Sequence, residues 1–410
     1  MNSVATRHAP DVKIPLAHIL TGVVSALLGG LLLLWRGPSL LGHPVGDFHT
    51  LALTHVFTLG YLAMTITGAT YQLVPVVLEV PLASERLARW EYPALVLGVA
   101  GMVGGFWTAH LLVLLSGAFL VGTALLVYGA HIVVTVFRSQ QHRMHRAFFL
   151  GAMIYLGTLC VLGGLMVADF RWGFLRWDLL LPHVIVAILG WVSLLAIGVS
   201  YKLVPMFALS HGHDEGMGMA VFVLGALGTL TLIFGVGHGG FVAGLSALPW
   251  LAAVVLVVRD QWFFFRLRNK PRLDVGLRLT TLAFGYLGLL AVVGWLDLAG
   301  VVRLPAAVLV ILALLGWLGC LVGGQTYKIV PFLVWFHRYA SRAGREKVPL
   351  LREMYSERVA RAAAWSLGFA ALLISAGTGA GVPWLVRLGA LAWLGGYGVL
   401  AYNMSQVLRA

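Results

Sequence analysis

Residues 55–75 read HVFTLGYLAMTITGATYQLVP, and their pattern returns twice, as LGWVSLLAIGVSYKLVP over 189–205 and LGWLGCLVGGQTYKIVP over 315–331. Each copy has Leu-Gly-aromatic, then a second glycine eight positions after the first. Tyr-(Gln/Lys)-(Leu/Ile)-Val follows, with a proline seven positions after the second glycine. Pro75, Pro205 and Pro331 stand 130 and 126 residues apart. Three ungapped matches at nearly constant spacing mark an internal triplication.

The surrounding chain is too apolar for a soluble domain: 60% of its 410 residues are hydrophobic, 10% are charged, and mean hydropathy is +0.92. Many apolar runs reach the roughly 20 residues that a helix needs to cross a bilayer. A closed barrel would require alternating strands, and no such alternation is present. The first residues, MNSVATRHAPDVK, lack a signal-peptide layout, so the first apolar run is expected to remain as a helix. Cys160 and Cys320 each lie inside an apolar run, so no CxxC metal pair or CxxCH haem-attachment site exists. The net charge of +13 is assigned to loops facing the cytoplasm rather than to nucleic-acid binding.

Twelve spans are expected: 14–36, 48–78, 91–109, 110–137, 145–168, 178–209, 217–236, 241–265, 276–299, 304–336, 358–379 and 383–407. Lys and Arg set their orientation. Arg7 and Lys13 precede the first span, and Arg86, Arg89, Arg138, Arg143 and Arg146 follow even-numbered ones. Six more lie in 259–278 and seven in 338–361. The opposite loops hold Arg36, Arg171, Arg176, Arg303 and Arg387, largely balanced by Asp47, Asp169, Asp178 and Asp297. The positive-inside rule therefore predicts a multi-pass protein of the plasma (bacterial inner) membrane with both termini in the cytoplasm.

The motif falls in spans 2, 6 and 10, so the repeating unit is four helices, about 14–137, 145–265 and 276–407. Copies four spans apart share one orientation, which predicts an all-α fold with a pseudo-threefold axis along the membrane normal. Inverted-repeat transporters are built differently. The motif glycines allow close helix approach. Lys202 and Lys328, which match Gln72, read as snorkelling cations or as proton or anion contacts. Tyr61, Trp191 and Trp317 share one repeat position and read as packing. No acidic residue is expected deep in a span.

Histidine is the conspicuous polar residue, with 14 copies. The predicted orientation places His43, His49, His55, His110, His183 and His238 in the outer half or at the outer edge. His55, two turns into span 2, and His183, near the start of span 6 after Pro182, are the candidate cofactor ligands at similar depth, able to face one interior site. Imidazole suits haem iron, copper or zinc. His49 and His238, the latter in GVGHGG, join His183 as candidate metal ligands. For each the simpler alternative is an interfacial or hydrogen-bonded histidine.

A histidine in the outer part of span 2 followed by Gly-Ala-x-Tyr-x-Leu-Val-Pro over 68–75 resembles the large subunit of nitric oxide reductase. More broadly, the chain is similar to haem-copper oxidase subunit I, whose twelve spans, cytoplasmic termini and threefold four-helix units match its whole length. Size and the histidine-to-glycine spacing also resemble NnrS-type membrane proteins. The resemblance implies haem b or copper (or another metal), a role in respiration or nitric oxide handling, and a respiratory-chain protein as electron donor. It maps the low-spin haem ligand to His55 and the active-site metal ligand to His183. The family's His-x-His of helix 10 and its helix 7 histidine pair have no counterparts here, with His238 a candidate substitute. Standard oxygen reduction is therefore not expected. The competing reading is a non-redox transporter, metal-handling protein or respiratory-complex assembly protein on the same scaffold.

Overall fold

The computed structural model describes residues 8–42, 47–140, 142–175, 178–211 and 215–410. Arg7, His43 and Arg176 of the sequence reading lie outside the described residues. Among those described, the protein is helical throughout and has no strand.

Twelve long helices follow in order. They are α1 Lys13–Arg36, α2 Phe48–Leu78, α3 Glu85–Thr108, α4 Leu111–Phe137, α5 Arg143–Trp172 and α6 Leu180–Ala208. The second half comprises α7 Glu215–Gly235, α8 Gly240–Arg266, α9 Val275–Leu298, α10 Ala306–Tyr339, α11 Glu357–Ala380 and α12 Pro383–Arg409. Eleven are long and apolar enough to cross a membrane, so this is a multi-pass membrane protein in contact with lipid. The twelfth, α3, starts six residues before the expected span 91–109, on ERLARWE, and ends one residue short of it. That charged start and four glycines keep α3 less apolar than its neighbours.

The motif helices are the most buried spans among the described residues. In α2 and α10, 78% and 72% of the most apolar window is buried, and in α6 50%, against 33–44% in the other spans. Each motif helix also leaves α geometry in the same place. Eight-residue π-helical segments occupy Val56–Ala63, Val186–Ser193 and Leu312–Gly319. Their starts are 130 and 126 residues apart, as the prolines are, so all three segments share one register. π segments widen a helix and recur at functional positions. Each proline follows twelve residues after the segment's end, inside the continuing helix.

By contacts the chain divides into two compact units. One contains Thr70–Lys270 and Gly288–Leu304; the other contains Asp11–Ala69, Pro271–Leu287 and Pro305–Ala410.

In the first unit, α3 and α4 pack nearly backbone to backbone. A Cβ on Gly117 would stand 2.1 Å from the Met102 nitrogen, and one on Gly105 2.4 Å from that of Leu114. Across α7 and α8, the Trp250 indole donates to Thr229 Oγ1 at 2.8 Å. Gly198 seats the Phe148 side chain of α5, and Gly190 seats Tyr155, whose hydroxyl donates to the Ala226 carbonyl at 2.6 Å.

The second unit is centred on Trp393 of α12, which donates to the Ala26 carbonyl of α1 at 2.9 Å and meets Phe57, Tyr61 and Tyr397 with its ring. Tyr61 and Tyr397 are hydroxyl to hydroxyl, and both reach the carbonyl of Gly319, the last residue of its π segment. Gly68 packs on His18, Gly324 on Leu279, and Gly316 on the Tyr286 ring.

One position therefore recurs in the packing. His18, Phe148 and Leu279 each meet the second motif glycine of the following motif helix, and they lie 130 and 131 residues apart.

Candidate functional site

His55 ends the first α-helical stretch of α2 and immediately precedes its π segment. The stretch begins on Asp47, whose carboxylate accepts the backbone N–H groups of His49 and Thr50 at 3.1 Å, a standard N-cap. Two turns on, half-buried His55 holds Nδ1 2.7 Å from the Leu51 carbonyl. With that oxygen as acceptor, Nδ1 carries the proton and Nε2 the lone pair. Metal- and haem-ligating histidines are oriented by this kind of outer bond, which His18 also makes to the Ile14 carbonyl at 2.8 Å.

The other histidines stand in different settings. His183 lies in the first turn of α6, its ring against Gly163 of α5, where an added Cβ would come within 3.2 Å. In the shared register His55 matches Ile185 and Ile311, whereas His183 matches Leu53 and Leu309. The two are close in depth along their helices, yet a two-residue offset turns an α-helical side chain by about 200°. His49 is half exposed, with Nδ1 4.0 Å from Asp47 Oδ2. Exposed His238 sits on a 3-10 turn and contacts the Phe234 carbonyl at 3.1 Å. His110 N-caps α4, accepting the Val113 N–H at 3.4 Å. Among the described residues, no three His, Cys, Asp or Glu side chains form a group that could hold a metal ion.

A second set of polar contacts, which sequence reasoning missed, lies around the motif tyrosines. Tyr71 donates to Glu91 Oε2 at 3.4 Å and packs its ring on Tyr128 and His131. Tyr201 donates to Asp260 Oδ2 at 2.7 Å, and Tyr327 accepts from the Asn403 amide at 3.2 Å. Glu91, Asp260 and Asn403 are all buried, so acidic side chains do lie inside the helical bundle, near helix ends. His131, Asp260 and Asn403 come from α4, α8 and α12, the last helices of the three predicted units. His131 has a structural task as well, since its Nε2 accepts the Ser84 N–H at 2.9 Å and ties down the start of α3.

Lys328 is ion-paired with Asp274, and the two side chains are only 10% and 16% exposed. Asp274 also caps α9 by accepting the Leu277 N–H at 3.1 Å. Lys328 is thus a partnered cation rather than a snorkelling one.

No protein-family model matches this chain, and no curated protein matches it.

Proposed function

We propose that this chain is a divergent relative of haem-copper oxidase subunit I that holds haem b through His55 and serves respiration or nitric oxide handling. The observation that carries the reading is His55 itself: an imidazole whose Nδ1 is committed to the Leu51 carbonyl, at the entrance to a π segment. A haem can be held by a single axial protein ligand, so a ligand of this kind does not depend on a three-residue metal cluster. When bound, the haem would supply one-electron redox chemistry and an iron face open to a diatomic gas such as nitric oxide. His55 would bind and orient it, and the Leu51 carbonyl would fix the imidazole tautomer.

The architecture belongs to the same proposal: three four-helix units about a pseudo-threefold axis, with α3 as the twelfth span and both termini cytoplasmic. It is supported by the in-register π segments, the recurring glycine seats for His18, Phe148 and Leu279, and the tyrosine partners on α4, α8 and α12. His183 is a separate candidate metal contact, and a respiratory-chain protein is the expected electron donor.

The competing proposal keeps the scaffold without redox chemistry, as a transporter, metal-handling or assembly protein. It takes the His55–Leu51 bond as an end in itself. An absorbance and pyridine-haemochrome spectrum of the purified protein, with metal analysis, separates the two. The haem reading expects a Soret band and close to one haem per chain; absence of both a Soret band and stoichiometric metal favours its competitor.

A further inference from the structure

The exposed stripe of α8 carries a chemistry that neither the motif nor the histidines use. Phe241, Leu245, Leu248 and Val255 face outward along it, from 41% to 77% exposed. One turn beyond Val255 the stripe changes character. Arg259, Trp262, Phe263 and Arg266 stand at i, i+3, i+4 and i+7, the spacing of one helix face, and all four are exposed. The Arg259 guanidinium lies 5.4 Å from the Phe263 ring centre, and that of Arg266 lies 5.0 Å from the Trp262 ring. Stacking of this kind fixes a guanidinium against an apolar plane while its N–H edge remains able to take a phosphate. One Arg259 N–H also points to the Met217 sulfur, 3.8 Å away.

The link after the helix is held in place. Asn269 donates from its backbone to the Leu209 carbonyl at 3.2 Å, Lys270 to that of Ala208 at 3.4 Å, and the Arg268 side chain to the Lys270 carbonyl at 3.1 Å. Asp260, the acid within the run, is buried against Tyr201. Charge on this face is therefore cationic, and its geometry is set before anything binds.

We propose that this end of α8 binds an anionic phospholipid. Acyl chains would lie along the stripe from Phe241 to Val255, the phosphate diester against Arg259 and Arg266, and Trp262 at headgroup level. An apolar stripe about 21 Å long ending in aromatic and basic side chains is complementary to both halves of such a molecule. The site is independent of any haem.

Native mass spectrometry of the full-length, delipidated protein titrated with phosphatidylglycerol or phosphatidylcholine of equal chain length tests this. The wild type is expected to retain phosphatidylglycerol preferentially. Arg259→Gln/Arg266→Gln should lower that retention by about fivefold per arginine with phosphatidylcholine binding unchanged. If the double variant fails to fold, added salt on the wild type gives the same reading, because the preference should fade as ionic strength rises. Equal retention of the two lipids by the wild type, an unaltered preference in a folded double variant, or a preference indifferent to salt would overturn the proposal. So would displacement by inorganic phosphate alone, which would make the acyl stripe irrelevant.

Discussion

Asp274 joins two tasks in one carboxylate, capping α9 and neutralising Lys328. Asp274→Asn keeps a capping oxygen and removes only the charge, which leaves a largely buried ammonium without its counter-ion. The expected loss is about 3 kcal/mol, the order found when one partner of a buried pair is removed. Adding Lys328→Gln should return part of it, and apparent melting temperatures in detergent would show the ordering. Nearby Tyr355, in the link before α11, has its phenol pushed above the ordinary tyrosine value by burial, with Asp274 and Glu357 adding to the effect. The folded protein then holds that proton more tightly than the unfolded chain. Its contribution is complete below about pH 10, where free tyrosine ionises, and declines as pH rises further. Tyr355→Phe should flatten the alkaline limb of a stability profile. The sequence suggested His55 as a ligand because an imidazole inside an apolar span stands out by itself. His131 reads in the sequence as a solvated or interfacial histidine of the cytoplasmic side yet is buried, and Asp260 and Asn403 escaped notice because different side chains partner the tyrosines of the three copies.

At the scale of elements, eleven of the expected spans were legible because long apolar runs bounded by basic residues report directly on the solvent. The motif's glycines and prolines likewise announced helices that pack closely. The π segments were not legible. Nothing in Leu-Gly-aromatic distinguishes an i→i+5 bond from an i→i+4 bond, and the choice is made by what packs alongside, such as Tyr155 against Gly190 and Tyr286 against Gly316. The start of α3 was misplaced because its first turns are charged; capped by Ser84, which accepts the Leu87 N–H at 3.2 Å, they are helical nonetheless. The α3–α4 contact gives a direct test. Gly117→Ala forces a methyl into the backbone of α3 and should cost about 1–3 kcal/mol as an overpacking change. Gly122→Ala on the same helix meets nothing within 4 Å and should be neutral. Thermal unfolding of the two variants side by side would check this.

Considered as a whole molecule, the protein has a charge asymmetry that makes a topological prediction. Single cysteines at exposed Val301 and Lys347 should differ in intact cells: Val301→Cys labelled by an impermeant maleimide, Lys347→Cys protected until the membrane is opened. The reverse pattern would invert the assigned orientation. Chemistry is the less legible part at this scale, because the repeats announce a scaffold three times while the histidines appear unevenly within it. His55 has no histidine at the equivalent places in the other two copies, which are Ile185 and Ile311. The claim that matters most is that this one imidazole holds a haem. It is tested by the haem-to-protein ratio and reduced-minus-oxidised spectrum of purified wild type beside His55→Ala and His49→Ala. The account predicts a haem signal in the wild type that persists in His49→Ala and is lost or strongly shifted in His55→Ala. An unchanged spectrum in His55→Ala would contradict it.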